Sequence, residues 1–262
     1  IARLARAGAA LDEPRYVDAA AAAAEFIWQH QQRDGRLHRA WRAGRTLPTA
    51  FLADYANLID GLLELYEATF APHWLDRALV LNETVLSHYV DARRGGFYTT
   101  ADDHEQLLTR PMEIADGAVP SGNSVQYQNL LRLAHLTGDD RLRAHADRLA
   151  AVFSPQVREH VGAGERFLAG VDFALAGPLE IVVVGDPTAA DTRALLRQVR
   201  TTYLPSRVVL LADTRPDGRS IRSPLLENRP PVDGRATVYV CRNGTCQRPV
   251  TTPANLAALL RP

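Results

Sequence analysis

Residues 116–125 read Asp-Gly-Ala-Val-Pro-Ser-Gly-Asn-Ser-Val and bring several reactive or polar groups into one loop. Asp116 supplies a carboxylate, Ser121 and Ser124 supply hydroxyls, and Asn123 supplies an amide beside a predicted helix start. A helix start offers unpaired backbone N–H groups and partial positive charge. The loop therefore predicts a site for a polyhydroxylated or anionic ligand. The alternative is that Ser121 only caps the helix and Asp116 only ties its own loop.

Asp54 is the second carboxylate of interest, because with Tyr55 it opens the predicted helix of the preceding repeat. A two-carboxylate hydrolase places an acid and a base or nucleophile on opposite sides of the scissile bond. We expect the starts of alternate helices to face one cavity, so Asp54 and Asp116 form the predicted catalytic pair and Tyr55 a substrate-binding residue. Asp60 and Glu64 share a helical face, a spacing typical of solvent-facing residues or of an interhelix salt bridge.

Three further side chains are predicted to bind substrate. Trp41 follows a glycine loop and would serve as a platform for a sugar face, or else as a plug that seals the hairpin. Phe97, in the next glycine loop, is predicted to be such a plug. Arg110 and Glu113 precede Asp116 and would orient a ligand or brace the loop.

Signals for metals and cofactors are weak. The eight histidines are scattered without an HExxH pair, and the segment 102–105, Asp-Asp-His-Glu, is typical of a solvated loop. The sequence contains no G-x-S-x-G elbow, no P-loop and no dinucleotide fingerprint, so we predict neither a metal nor a cofactor. Four residues separate Cys241 from Cys246, which favours two buried small residues over a redox pair.

An internal repeat indicates which elements position these groups. Residues 62–69 align with residues 130–137, and each segment is followed by a short break and a new predicted helix. Residues 1–16 resemble a third copy of this junction and begin inside a helix, so we expect the chain to be the C-terminal part of a longer protein. The apolar periodicity, helped by the N-cap Ser121 and by Gly138 as a stop, predicts helices over 14–33, 50–70, 72–90, 121–137, 139–154 and 165–176.

Helical hairpins of this kind pack side by side and close into a toroid, so the expected fold class is mainly α. It consists of part of an (α/α)6-type six-hairpin toroid followed by a small α/β subdomain. The pattern changes after Gly177-Pro178, where strands over 181–184 and 208–211 flank a helix over 191–203 and predict a parallel βαβ unit. A strand over 237–241 and a short helix from Pro253 follow. The predicted domains are residues 1–177 and 178–262.

Composition excludes several classes of function. Thirty basic residues, all of them arginine, balance thirty acidic residues, so nothing predicts attraction to nucleic acid or to an anionic membrane. No apolar run approaches the roughly 18 residues needed to cross a bilayer. Two cysteines fit a reducing compartment and exclude a disulfide scaffold. We expect a soluble, cytoplasmic protein.

Several segments together resemble the family of the bacterial YyaL proteins and spermatogenesis-associated protein 20. These segments are residues 54–61, 95–98, 116–124, 180–185 and 239–247. The resemblance implies a thioredoxin-like N-terminal domain, which this chain does not contain, joined to a six-hairpin toroid similar to N-acylglucosamine 2-epimerases and related glycosidases. It establishes no catalytic residues.

Two functions are therefore expected. The first is a site that binds or acts on a small polar or sugar-like ligand, in the manner of an epimerase or glycosidase. The alternative is a non-catalytic helical platform that presents protein partners or the missing thioredoxin-like redox domain. A redox role for the two cysteines is a third, weaker hypothesis.

Overall fold

The computed structural model describes residues 1–46, 50–105 and 108–261. Its helices are α1 (Ala2–Leu11), α2 (Pro14–Gln31), α3 (Leu52–Thr69), α4 (Pro72–His88), α5 (Gly122–Thr137), α6 (Asp140–Glu159), α7 (Glu165–Ala176), α8 (Ala190–Thr201) and α9 (Pro253–Leu259). Its strands are β1 (Gln32–Arg33), β2 (Arg36–Leu37), β3 (Trp41–Arg42), β4 (Arg45–Thr46), β5 (Leu179–Gly185), β6 (Arg207–Asp213), β7 (Thr237–Arg242) and β8 (Thr245–Cys246).

The first seven helices form an arc of hairpins. Helices α1, α3, α5 and α7 pack against one another in that order and make the inner layer. Helices α2, α4 and α6 pack outside, each against the inner helix that precedes it. The predicted fold class, a mainly α chain with part of an (α/α)-type toroid followed by a small α/β subdomain, is confirmed by this arrangement.

The starts of α3 and α5 lie side by side. Gly122 at the start of α5 lies so close to the start of α3 that an added Cβ would be 2.9 Å from the Ala53 nitrogen. Further along the same pair of helices, the Asn129 side-chain amide donates to the Ala56 carbonyl oxygen. Because α3 and α5 run side by side from a common end, side chains of successive repeats share one inner surface.

The helix bounds agree with the apolar periodicity, with one clear difference. We predicted that the helix from residue 139 ends at 154. In the structure α6 continues to Glu159, with Pro155, which lacks a backbone N–H, inside it. Val157 on this extra turn is buried in the core, and its packing compensates for the missing hydrogen bond. Within the described residues, no helix has both the length and the apolarity that membrane crossing requires.

The tail contains a four-stranded sheet with the order β6-β5-β7-β8. Strands β5 and β6 are parallel and joined through α8, as the βαβ prediction requires, and β7 pairs antiparallel with β5. The change from helices to sheet falls at Gly177-Pro178. One continuous hydrophobic core runs through both the arc and the tail, and the division into two domains remains a prediction.

The cysteine prediction was wrong. Cys241 and Cys246 form a disulfide, and Cys246 is exposed rather than buried. The physical reason is the hairpin between them. Asn243 and Gly244 both adopt positive φ, the two-residue turn that joins antiparallel strands, and this register places the two cysteines directly opposite each other on β7 and β8.

Candidate functional site

Asp116 acts as a connector between two helix starts. Its Oδ1 accepts the backbone N–H of Ser121 at 2.9 Å, and its Oδ2 accepts the backbone N–H of Arg166 at 2.8 Å. These two N–H groups lie at the starts of α5 and α7, where intrahelical partners are lacking. Both carboxylate oxygens of Asp116 are thus engaged by backbone donors.

The remaining polar residues of this loop also bond to their own surroundings. Ser121 caps α5, since its Oγ accepts the N–H of Ser124 at 3.1 Å and donates to the Ser124 hydroxyl at 2.9 Å. Asn123 is buried. Its Oδ1 accepts the Phe97 N–H, and its Nδ2 donates to the carbonyl oxygens of Phe97 and Glu113. The amide of Asn123 therefore ties two loops to the start of α5.

Asp54 and Tyr55 lie at the start of α3. The Asp54 Oδ2 accepts the N–H of Phe51 at 2.9 Å, which completes one half of a capping box. The Tyr55 side chain is buried, and its hydroxyl oxygen accepts the Leu37 N–H at 2.7 Å. Burial raises the pKa of Tyr55, so this phenol stays protonated. Tyr55 thereby anchors the loop that follows α2 to the inner helix.

Trp41 lies on β3 and packs against the end of α2. Its ring centroid is 5.0 Å from that of His30 and 5.5 Å from that of Phe26, the latter in an edge-on arrangement. The indole is half-buried among these rings. Phe97, by contrast, is fully buried.

Arg110 braces the loop before Asp116. Its Nη2 donates to the carbonyl oxygens of His88 and Thr100 at 3.2 and 2.6 Å, and its guanidinium carbon lies 4.3 Å from the centre of the Tyr98 ring. The Glu113 side chain is exposed, and the residue takes part in this region through its carbonyl oxygen.

One group of potential metal ligands occurs among the described residues, formed by His88, Asp102 and Asp103. Arg36 binds both oxygens of Asp103, at 2.6 and 2.7 Å, and thereby neutralises it. His88 Nδ1 lies 2.8 Å from Asp102 Oδ1. With one carboxylate held by an arginine, the group lacks the negative charge that a divalent cation needs.

A cavity of about 650 Å³, here called the hairpin cavity, lies beside the start of α3. Its polar lining residues are Arg3, Gln31, His38, Arg39, Asp54, Asn57, Asp60 and Arg166. Asp54 therefore faces this cavity, whereas Asp116 is not part of its wall. The structure brings the two helix starts together but does not bring the two predicted catalytic carboxylates into one cavity, and their pairing stays a prediction.

A second cavity, of about 540 Å³, lies on the face of the arc away from α2, α4 and α6. It is here called the arginine cavity, after its charged lining residues Arg3, Arg6, Asp60, Glu64, Glu67, Arg132, Arg166, Arg200 and Arg207. The inner helices form most of its wall, and α8 and β6 of the tail close it. Arg3, Asp60 and Arg166 line both cavities, which are therefore neighbours along one polar surface.

Arg132 is at the centre of a buried ion network in this wall. Its Nη1 lies 3.3 Å from Asp60 Oδ1 and 3.0 Å from Glu64 Oε1, and its Nη2 lies 3.0 Å from Glu67 Oε1. The same Oδ1 of Asp60 is 3.2 Å from Arg166 Nη2. Each of these side chains is at least four-fifths buried, so the network depends on mutual compensation of its charges.

The charges in the network stabilise one another. Burial works against the ionised form of both Arg132 and Glu64. The carboxylates of Glu64, Glu67 and Asp60 nevertheless raise the pKa of Arg132 above its ordinary value. Arg132 and Arg6 in turn lower the pKa of Glu64 below its ordinary value. Arg132 and Glu64 are therefore both charged at neutral pH.

Part of this site is visible in the sequence. The spacing of Asp60 and Glu64 predicts either solvent-facing residues or an interhelix salt bridge, and the contacts of both with Arg132 on α5 confirm the salt bridge. The stronger signal is the addition of Glu67, since positions 60, 64 and 67 share one face of a helix whose other positions between 58 and 66 are Leu, Ile, Gly or Tyr. Three acidic residues within an apolar helix require buried partners.

No protein-family model matches the sequence. The chain is 37% identical to spermatogenesis-associated protein 20 of Mus musculus and 34% identical to that of Homo sapiens, in each case over 97% of this chain and 34% of the relative. The chain thus spans about a third of the length of these relatives. Among solved structures it is similar to the cellobiose 2-epimerase of Spirochaeta thermophila, with 20% identity, a TM-score of 0.45, and coverage of 57% of this chain and 40% of that one.

Proposed function

We propose that this chain forms part of a binding chamber for a small carbohydrate-type ligand. Its predicted resemblance to the spermatogenesis-associated protein 20 family is confirmed over nearly its whole length. The chamber consists of the hairpin cavity and the arginine cavity. The observation that carries the proposal is that the two cavities meet at the same three charged residues, Arg3, Asp60 and Arg166.

The chemistry of the shared residues suits a ligand with several hydroxyl groups. Asp60 uses its Oδ1 for both arginine contacts, and Oδ2 takes part in neither. Within the described residues, no carboxylate pairs with the Arg3 guanidinium. A carboxylate accepts hydrogen bonds and a guanidinium donates them, so together they match hydroxyls that do both. Phe70 and Phe173 add apolar surface to the wall, as ligand pockets require.

Arg3→Gln gives the most direct test. Arg3 is exposed and unpaired in the described structure, so its replacement removes a donor from both cavities with little effect on folding. We expect one or more neutral mono- or disaccharides to raise the melting temperature of the full-length protein. This shift should be much smaller in Arg3→Gln and unchanged in Arg193→Gln, which removes an exposed arginine from α8 outside either cavity. A panel in which no sugar raises the melting temperature contradicts the proposal.

A platform for a protein partner is the second candidate, and the α1–α2 hairpin favours it. These two helices bury only Ala5, Gly8, Ala20 and Ala24, whereas α3 and α5 each bury most of their length. Leu4, Leu11 and Phe26 are 41%, 70% and 43% exposed. Such apolar exposure at the free edge of an arc is typical of a covered surface. The partner proposed from the family resemblance is the thioredoxin-like domain.

Binding measurements separate the two candidates. A separately produced thioredoxin-like domain from the full-length protein should bind this chain, and Leu11→Asp should weaken that binding. Leu175→Asp is the matched control, because Leu175 is 83% exposed but lies on α7 at the other end of the arc. If Leu11→Asp and Leu175→Asp bind the thioredoxin-like domain equally well, the platform proposal is contradicted.

A further inference from the structure

The arginine cavity is not electrically balanced. Six arginines and three carboxylates line it. All three carboxylates contact Arg132. Their contacts with other arginines either use an oxygen that Arg132 already contacts or are longer than the contacts with Arg132. Glu67, for example, reaches Arg207 Nη2 only at 3.9 Å. The wall therefore carries an excess of positive charge.

Part of the excess lies where the tail closes the cavity. Arg200, near the end of α8, donates from Nη2 to the Ala68 carbonyl oxygen at 2.6 Å and lies over the Phe70 ring. Within the described residues, no carboxylate forms an ion pair with it. Arg207, at the start of β6, donates from Nη1 to the Leu204 carbonyl oxygen at 3.1 Å. Both guanidinium groups thus use part of their donor capacity on neutral carbonyl groups.

Further donors on these side chains lack any protein partner. The Nε atoms of Arg166, Arg200 and Arg207 are buried and make no hydrogen bond within the described structure. All three residues line the arginine cavity. A buried donor without a partner is unfavourable. The protein itself therefore compensates these guanidinium groups incompletely.

Electrostatics support the same conclusion. Burial lowers the pKa of the Arg200 guanidinium, and the neighbouring positive charge of Arg207 acts in the same direction. Burial also lowers the pKa of Arg166, despite its contact with Asp60. A negative charge placed next to these groups would relieve that penalty.

We infer that the ligand of the arginine cavity carries an anionic group, a phosphate or a carboxylate, and that the guanidinium groups of Arg200 and Arg207 bind it. The inference rests on the proposed function for the rest of the ligand and adds its chemical class, an acidic or phosphorylated sugar. Arg132 is excluded as the main anion-binding group because three carboxylates already surround it. A planar guanidinium binds two oxygens of a phosphate or carboxylate at once, which suits this role.

Calorimetric titration of the full-length protein with inorganic phosphate, glucose, glucose 6-phosphate and glucuronate tests the inference. We expect glucose 6-phosphate or glucuronate to bind more tightly than glucose, and that ligand to lose affinity by about tenfold or more in Arg200→Gln. The matched control is Arg197→Gln, three residues earlier on α8, where the side chain is 65% exposed and pairs with Asp12 outside the cavity. Arg207→Gln provides a second variant should Arg200→Gln fail to fold, as judged by circular dichroism.

The outcomes separate the two proposals. If glucose binds and none of the anions binds more tightly, the anionic subsite is refuted and the proposed function stands. If inorganic phosphate binds in an Arg200-dependent manner but no sugar does, the subsite stands and the carbohydrate proposal fails. Equal anion affinity in wild type, Arg200→Gln and Arg207→Gln overturns the inference.

Discussion

The Oδ1 atom of Asp60 lies 3.2 Å from Nη2 of Arg166, although the two residues are 106 positions apart in the chain. This contact joins α3 to α7 across the inner layer of the arc. Because Arg132 on α5 approaches the same oxygen, three successive inner helices are connected through one carboxylate. The polar wall of the chamber is thus built into the packing of the helices, and its stability can be measured by mutation.

Arg132→Met is expected to destabilise the protein strongly. The substitution leaves Asp60, Glu64 and Glu67 buried without their shared cation, and breaking a buried pair in this way costs about 3–5 kcal/mol. Urea denaturation followed by circular dichroism measures the change. Arg143→Met is the control, because the exposed pair of Arg143 with Asp147 is worth only about 0.3–0.5 kcal/mol. Similar losses of unfolding free energy in the two variants would show that the buried network stabilises the protein no more than an exposed ion pair.

The pH dependence of stability should identify Glu64. Its pKa is lower in the folded protein than the ordinary value of 4.5. Stability from Glu64 is therefore fully present above that value and is lost as the pH falls through the lower, folded pKa. In Arg132→Met burial dominates and raises the pKa of Glu64, so the stability gap between wild type and this variant should narrow on acidification. Denaturation curves of both proteins at neutral pH and below pH 4.5 measure this difference in unfolding free energy. A difference that does not change with pH contradicts the role assigned to Glu64.

Asp116→Asn tests whether the Asp116 carboxylate is structural. An asparagine keeps one acceptor but turns an N–H group toward either the Ser121 or the Arg166 backbone N–H, so we expect a loss of about 1–3 kcal/mol in unfolding free energy. Asp18→Asn on the exposed side of α2 is the control. A variant with unchanged stability that no longer binds or turns over a sugar would instead favour the predicted catalytic role.

Reduction of the Cys241–Cys246 disulfide should have a modest effect. The cysteines are five positions apart, so the bond closes a short loop and removes little chain entropy from the unfolded state. The expected loss is about 2 kcal/mol on the chain-entropy account. Urea denaturation with and without a phosphine reductant measures it. A variant with alanine at both positions should be insensitive to the reductant, and a reductant effect that persists in it would exclude the disulfide as the cause.

The repeat and the helix boundaries could be predicted because they depend on local signals. Ser121 and Gly138 bound α5 as their types require, and the apolar spacing along α3 identifies a helix with a buried face. The hairpin that pairs Cys241 with Cys246 was also readable, since Asn243-Gly244 is a strong two-residue turn signal. The spacing of the two cysteines matches no two-residue redox motif, so their pairing follows only from the register of β7 and β8.

The charged chamber could not be predicted in the same way, because its members come from distant parts of the chain. Arg132 and Glu64 meet only when α3 and α5 pack, and Arg200 reaches Ala68 over 132 positions. The loop containing Asp116 and Asn123 had the right polar composition for a site. Composition alone does not show whether such groups face a cavity or bond to nearby backbone, and here their polar atoms bond largely to backbone.

The closing of the arginine cavity by α8 and β6 also has a consequence for biosynthesis. A ribosome makes the inner helices first, and domains generally begin to fold in the order of synthesis. Until the segment with Arg200 and Arg207 leaves the exit tunnel, Glu67 and the surface around it remain in contact with water. A nascent chain stalled before that point would therefore have a formed helical arc without a completed chamber.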